Sequence, residues 1–337
     1  MTENIKDSIV PLSILLIAGM MLTGALYLMR PVLVPFVFSL FLFFLVSPFI
    51  NWLKYHLKIP KSLTIGVTLI LLIFGFFFAL IVLGVSLKEF VQSSGVYQEN
   101  LINLLDKTAA IFSEYGYTID LSLVRQSLLN LPLFDWFTSF SGGVFGLVGN
   151  LVLVLIFTFF LVVGSESQER VAGGQFLEDE VRNKITRYIA TKCFTSGLTG
   201  LLIWGIFSLF NVKLALMFGV ITFFLNFIPS VGSIMATLLP IPVLLLQFGP
   251  SVSLIAVLAI SAAIQFVVGN ILDPKLLGEN LGMNPVVILL SLLFWGFIWG
   301  VPGMFLSVPM TAVIKLLLNR AQFKTRMGIM VDSLIGS

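Results

Sequence analysis

Long apolar runs separated by short polar connections make up most of this chain of 337 residues. A helix needs about 20 consecutive apolar residues to cross the hydrocarbon core of a bilayer, and several runs reach that length. The predicted full spans are 8–28, 32–50, 63–87, 142–164, 194–210, 252–268, 286–299 and 301–318. Two further apolar segments, 214–228 and 230–247, form either two short spans or a re-entrant hairpin. The pattern predicts an all-α polytopic membrane protein with about eight full spans and, in the second alternative, a re-entrant helical hairpin.

Hydropathy falls between residues 86 and 141. Apolar residues recur there at helical spacing over 101–112 and again over 121–131, after an aspartate that suits a helix cap, so two short amphipathic helices are expected. The segment carries six acidic residues against three basic ones. We expect a small acidic helical extracytoplasmic domain, which is too short to bury a large core of its own.

The other boundaries follow from the same pattern. Residues 1–85 hold the first three transmembrane helices, 142–164 the fourth span, 165–193 a cytoplasmic amphipathic helical segment, 194–318 a transport core with broken helices, and 319–337 a cytoplasmic tail. Assigning the connections alternately to the two sides places 14 of the 19 Lys and Arg residues on the side of both termini. Because basic residues concentrate in cytoplasmic loops, both termini are expected in the cytoplasm, with the chain in the cytoplasmic (inner) membrane.

Composition supports a membrane protein and excludes several other classes. The chain is 58% hydrophobic and 10% charged, with a mean hydropathy of +1.08, whereas soluble domains carry about 25% charged residues. The net charge of +3 comes from basic residues beside apolar runs, so no nucleic acid is expected as a partner. A single cysteine, Cys193, excludes an internal disulfide and a metal site built from cysteines. Catalytic and nucleotide-binding motifs are missing, so we expect neither enzyme activity nor a cofactor.

Helix breakers are concentrated in the last third of the chain. Pro229, Gly232, Pro302 and Gly303 interrupt apolar sequence of membrane-spanning length. Unpaired backbone groups are tolerated at membrane depth only against protein or a wet cavity, and broken helices frame solute sites in many secondary transporters. These four residues are therefore candidates for the transport pathway. The alternative is that they only kink structural helices.

Four polar residues in the same region are further pathway candidates: Asn226, Gln265, Asn270 and Asp273. Asn226 lies beside the Pro229 break, where its amide needs either a protein partner or the solute. Asn270 and Asp273 share a helical face, and a carboxylate there could bind a proton or a small cation. Pro274 is expected to keep Asp273 out of the helical conformation. The alternatives are an ordinary connection with an Asp-Pro turn, or a salt bridge from Lys275 to Asp273.

Three segments of this region resemble one known family: FIPSVG, QFVVGNILDPKLLGENLGMNP and GVPGMFLSVP. They are similar to the autoinducer-2 exporter family of membrane proteins, most closely between residues 188 and 317. The resemblance implies a transporter, and members are described as exporters of a signalling furanone, as sodium (lithium)/proton antiporters or as permeases. It also implies a homo-oligomer, a pentamer in which each protomer carries its own pathway.

The leading hypothesis is a secondary transporter or permease for a small polar solute. The first alternative is a sodium (lithium)/proton antiporter, whose partner would be a monovalent cation. A membrane scaffold or an intramembrane enzyme is the alternative from another class. An enzyme needs several titratable residues at one depth, which the spans do not offer, and a scaffold needs no breakers in its spans.

Overall fold

A computed structural model describes residues 2–56, 61–92, 99–100, 102–103, 105–106, 109–110, 113, 151–168, 175–277 and 283–320. Within these ranges the chain is helical and contains no strand. The α-helices in the order of the chain include α1 (Thr2–Leu28), α2 (Arg30–His56), α3 (Lys61–Gln92), α4 (Leu151–Gln168), α5 (Gln175–Leu209), α6 (Ala215–Leu225), α7 (Val231–Leu238), α8 (Ile241–Phe248), α9 (Val252–Val267), α10 (Asp273–Leu277), α11 (Pro285–Trp299) and α12 (Val301–Arg320). A π-helical turn, Val268–Leu272, joins α9 to α10. The prediction of an all-α protein is confirmed.

Five stretches in the described part of the chain are long and apolar enough to cross a membrane. They are Arg30–Ile50, Gly66–Ser86, Arg182–Leu209, Val231–Phe248 and Val252–Leu272. Five shorter apolar helices accompany them: Leu16–Leu28, Leu151–Gly164, Ala215–Leu225, Pro285–Trp299 and Val301–Lys315. Many large apolar side chains on these helices are exposed, among them Phe297 at 85% and Val252 at 83%. Surfaces of this kind suit lipid rather than water, which agrees with a multi-pass membrane protein.

One predicted boundary, at Cys193, falls inside a continuous helix. Helix α5 runs through Cys193 without a break, so the predicted cytoplasmic segment 165–193 and the fifth span share one helix of 35 residues. The predicted amphipathic helices of the acidic domain, 101–112 and 121–131, fall mostly outside the described residues. The same is true of the first part of the fourth span, of which the structure describes Leu151 onward.

The chain divides into two compact units. The first consists of Met1–Lys58, Leu151–Ile189 and Glu279–Ser337. In it α2 packs against α4 and α11 packs against α12. Its centre is aromatic: Trp295, Ile298 and Trp299 are buried against apolar residues of α1, α2 and α12. The indole Nε1 of Trp299 donates to the Leu26 carbonyl oxygen at 3.1 Å, which satisfies the polar edge of a buried ring.

The second unit consists of Ile59–Asn150 and Ala190–Gly278. Its apolar core is built by α5, α6, α8 and α9. Phe207 and Phe218, both almost fully buried, pack edge to face with ring centroids 5.7 Å apart. Helices α5 and α6 approach closely at Gly200 and Gly219, where a Cβ on either glycine would lie within 3 Å of the other's carbonyl oxygen. Small residues at such crossings let backbones pack in membranes.

Candidate functional site

The second unit contains a buried polar face on helix α5. Lys192, Thr195, Ser196 and Thr199 are all buried, and their spacing of three, four and seven residues from the lysine places them on one side of a helix. The Thr199 hydroxyl donates to the Thr195 carbonyl oxygen at 2.7 Å, and the Thr195 hydroxyl to that of Lys192 at 3.2 Å. Sequence reasoning missed this face because it counted Lys192 as a cytoplasmic charge. The recurrence of polar residues at helical spacing was the available signal.

A buried ion pair links this face to the end of the π turn. The Lys192 Nζ lies 2.5 Å from Asp273 Oδ2, and the two side chains are 7% and 10% exposed. Lys275, considered above as the partner of Asp273, is instead exposed. Breaking a buried pair on one side leaves an uncompensated charge, so the two residues depend on each other.

The π turn brings Asp273 onto the buried face of α9. That face carries Leu254, Val257, Ser261, Gln265 and Val268, which follow one another at intervals of three or four residues. Continued as an α-helix, the chain would place Asp273 about 80° away from Gln265 around the axis. The wider π turn, in which the Asp273 amide donates to the Val268 carbonyl oxygen, removes most of this offset. Gln265 and Asp273 therefore lie on one face, about two turns apart.

The prediction that Pro274 keeps Asp273 out of the helical conformation was wrong. Asp273 adopts φ −55° and ψ −53°, which is right-handed helical backbone. Pro274 follows the π turn directly, inside a continuous helical run from α9 to α10, where the ordinary hydrogen-bond pattern is already interrupted, so a residue without an amide donor does not end the helix here. The carboxylate is presented by a helical register change and not by an Asp-Pro turn.

Four buried side-chain atoms in the described part of the chain have no hydrogen-bond partner there. They are Ser196 Oγ, both Gln265 side-chain atoms (Nε2 and Oε1) and Asp273 Oδ1. Leaving a buried polar group unpaired costs about 1–3 kcal/mol, more if it is charged. By contrast, the Ser261 hydroxyl, one turn before Gln265, donates to the Val257 carbonyl oxygen at 2.7 Å. We use the name polar cluster for Lys192, Ser196, Gln265 and Asp273.

Asn226 connects the end of α6 to the same face of α5. It follows the last residue of α6, is 2% exposed, and its Nδ2 donates to Thr199 Oγ1 at 3.4 Å. The amide that sequence reasoning singled out thus has a protein partner, a threonine hydroxyl. It holds the start of the connection between α6 and α7 against α5.

The connection between α6 and α7 is a strained turn. Ser230 has φ 58° and ψ −53°, and the Val231 amide donates to the Pro229 carbonyl oxygen two residues earlier at 2.6 Å. This is the γ-turn with positive φ, which is rare and strained for a residue with a side chain. Gly232 follows directly, and a Cβ there would clash with the Leu225 carbonyl oxygen. Strained backbone of this kind concentrates at functional sites.

The remaining predicted residues are not members of the polar cluster. Asn270 is exposed, and its Nδ2 donates to the Phe266 carbonyl oxygen one turn earlier at 3.2 Å. Pro302 and Gly303 belong to the first unit, at the start of α12. Of the eight candidates, Gln265 and Asp273 are in the cluster, while Asn226 reaches the same face of α5. Within the described residues, no group of three His, Cys, Asp or Glu side chains could hold a metal ion.

Comparisons with known proteins agree with the architecture. The model of the AI-2E family of transporters matches residues 15–322. A Haemophilus influenzae protein named "Putative transport protein" is 29% identical over 343 residues, covering 95% of this chain and 94% of its own. The Escherichia coli K12 protein named "AI-2 transport protein TqsA" is 24% identical over 311 residues, covering 90% of each chain. A Bacillus subtilis relative, "Putative transport protein YrrI", is 28% identical and covers 86% of each.

Proposed function

Because the chain belongs to the AI-2E family of transporters, we propose that it is a permease in which the polar cluster binds a small polar solute on its way across the membrane. The observation that carries this proposal is the set of unpaired buried atoms beside a buried ion pair. Polar groups at membrane depth are expensive and usually serve function. A solute that pairs with these atoms recovers the free energy that their burial costs.

The antiporter alternative receives less support. A sodium or lithium ion at Asp273 would share the carboxylate with the Lys192 ammonium, which contacts Oδ2 already. Like charges at this distance in a buried site repel strongly. The relatives reported above carry the names of transport proteins, and one name specifies AI-2. AI-2 is therefore the first solute to test.

Uptake and release of AI-2 by sealed vesicles containing the purified chain test the proposal. We expect flux above that of empty vesicles, and we would impose a sodium or a proton gradient separately to identify the driving force. No flux of AI-2 or of other small polar solutes under either gradient would contradict the proposal. Sodium/proton exchange without solute would favour the antiporter.

We further propose about eight full spans, with residues 214–228 and 230–247 as a re-entrant hairpin. Helix α6 has 11 residues, fewer than the roughly 20 that a span requires. The second arm is divided into α7 and α8, although Val231–Phe248 as a whole is long and apolar enough to cross. The acidic segment 86–141 would lie outside the cytoplasm and both termini inside it, in the cytoplasmic membrane. Cysteines placed at Ser113 and Ser333 in a Cys193→Ser background should react from opposite sides. Reaction from the same side would refute this orientation.

The family resemblance also suggests a homo-oligomer. We propose that the subunits assemble with one complete polar cluster in each protomer. Native mass spectrometry of the detergent-solubilised chain should show a single oligomer, with five subunits as the expected number. A monomer that transports at the full rate per chain would refute the need for assembly.

A further inference from the structure

We infer that the ion pair between Lys192 and Asp273 sets the charge class of the solute, so that the site takes an uncharged, hydroxyl-rich molecule. This inference rests on the proposed function, because it concerns the solute of the same site. It assigns Ser196 and Gln265 as the residues that recognise the solute. It assigns Lys192 as the residue that excludes cations and Asp273 as the residue that excludes anions.

The charge argument starts from neutrality. Lys192 and Asp273 are the buried charged residues within the described ranges, and they contact each other directly. Their charges cancel, so a third charge in the site would have no partner of its own. A buried charge without a partner is far less favourable than the same charge in water. A cation would also face the ammonium, and an anion the carboxylate.

The hydrogen-bond argument comes from the unpaired atoms. Gln265 Nε2 donates, Gln265 Oε1 and Asp273 Oδ1 accept, and the Ser196 hydroxyl does both. An apolar solute would leave all four atoms unpaired. A solute with acceptors only would leave Gln265 Oε1 and Asp273 Oδ1 without a hydrogen-bond donor. A hydroxyl group both donates and accepts, so several hydroxyls on one molecule satisfy the whole set.

The separation along the helix indicates the size of the solute. Gln265 and Asp273 are about two helical turns apart, which is roughly 11 Å at a pitch of 5.4 Å per turn. One hydroxyl cannot reach both side chains. A short chain of carbon atoms with hydroxyls at both ends can, and a four-carbon sugar alcohol is the simplest probe of that kind.

Counterflow in vesicles with three matched probes tests the charge class. The probes are radiolabelled erythritol, its carboxylate analogue erythronate, and its amine analogue, which is a cation at neutral pH. The parental protein should exchange erythritol at least tenfold faster than either ion. Lys192→Met should move the preference toward the cation, Asp273→Asn toward the anion, and the double variant should return it to erythritol.

A second pair of variants tests recognition without changing any charge. Ser196→Ala removes an unpaired buried hydroxyl, whereas Ser261→Ala removes a paired one that is buried to a similar extent. We expect the KM for erythritol to rise several-fold in Ser196→Ala and in Gln265→Leu, and to stay at the parental value in Ser261→Ala. This pair keeps the inference testable if the single charge variants do not fold.

The outcomes separate the inference from the proposed function. Parental protein that carries either ion as fast as erythritol overturns the inference and leaves a transporter. Equal KM values in Ser196→Ala and Ser261→Ala also overturn it. Parental protein that carries neither AI-2 nor any of the three probes overturns both.

Discussion

Two helical hairpins, one in each unit, use the same packing device. In the second unit α6 turns into α7, and Gly232 lies against the Leu225 carbonyl oxygen. In the first unit α11 turns into α12, and Gly303 lies against the Trp295 carbonyl oxygen. In both, a glycine near the start of the second helix lets it pack against the backbone of the first. Breakers at these positions therefore do not by themselves indicate a solute pathway.

The hairpins differ in their connections. The turn from α11 to α12 needs one residue with positive φ, Gly300 at 67°, which a glycine adopts without strain. The turn from α6 to α7 contains Ser230 in a conformation that a glycine would adopt more easily. It also begins with the buried amide of Asn226.

The polar residues around the hairpins differ more. In the first unit, the Ser291 hydroxyl contacts the Thr311 hydroxyl and donates to the Ser307 carbonyl oxygen at 3.0 Å. The Trp295 Nε1 donates to Thr311 Oγ1 at 3.3 Å. These side chains hold α11 to α12. In the second unit, Ser196, Gln265 and Asp273 keep unpaired atoms. Polar residues in membrane helices thus indicate a site only after their partners have been counted.

The largest effect should follow from breaking the ion pair. Lys192→Met leaves the Asp273 carboxylate buried without its partner, and we expect a loss of about 3–5 kcal/mol in the free energy of unfolding. Adding Asp273→Asn should recover most of that loss. Denaturant unfolding of the purified variants in detergent measures both. Independent, additive losses would show that the two side chains do not depend on each other.

The shared packing device should give the next largest effect. Gly232→Ala and Gly303→Ala each place a Cβ against a backbone carbonyl, which cannot move aside as a flexible side chain can. We expect each to lower the free energy of unfolding by about 2–3 kcal/mol. Gly205→Ala, on α5, is the control, since a Cβ there meets nothing within 4 Å. Thermal unfolding measures the three variants. A loss of stability in Gly205→Ala as large as in the other two would contradict the close packing.

Some features of this fold and site could be predicted from the sequence, and others could not. Apolar runs of about 20 residues made the helices and the membrane environment predictable. Gln265 and Asp273 were found because polar residues are rare in such runs. Lys192 was missed because it lies just before the predicted span 194–210, where a lysine is equally typical of a cytoplasmic loop. The clash at Gly232 depends on a carbonyl seven residues earlier, which only the turn brings close.

Paired and unpaired serines should then separate stability from transport. Ser291→Ala removes hydrogen bonds to Ser307 and Thr311, so we expect a loss of about 1 kcal/mol in stability and an unchanged KM. Ser196→Ala removes a hydroxyl that has no partner in the described structure, so stability should stay the same or rise slightly. Unfolding and vesicle flux measured on one preparation give both values. A stability loss as large in Ser196→Ala as in Ser291→Ala would mean that the Ser196 hydroxyl is paired.

The smallest effect is expected at the strained turn. Ser230→Gly keeps the backbone of the γ-turn and removes the strain of a side chain at φ 58°, so stability should rise by about 1 kcal/mol. Ser208→Gly, on an exposed position of α5, should instead lower it by a similar amount. A slower transport rate in the stabilised Ser230→Gly protein would show that the strain in this turn contributes to a conformational change during transport. Equal stability losses in both would show that Ser230 is not strained.

The π turn at Val268–Leu272 has a consequence for aligning relatives of this chain. A π turn is geometrically an α-helix with one inserted residue. Removing one residue of the five leaves seven residues from Gln265 to the aspartate. Seven residues make nearly two α-helical turns of 3.6 residues each, so the two side chains would differ in direction by only about 20° around the helix axis. A relative one residue shorter there would keep the amide and the carboxylate on one face with an ordinary helix. A gap in an alignment at this point therefore belongs inside the turn, where it changes the local winding of the backbone and preserves the two side chains.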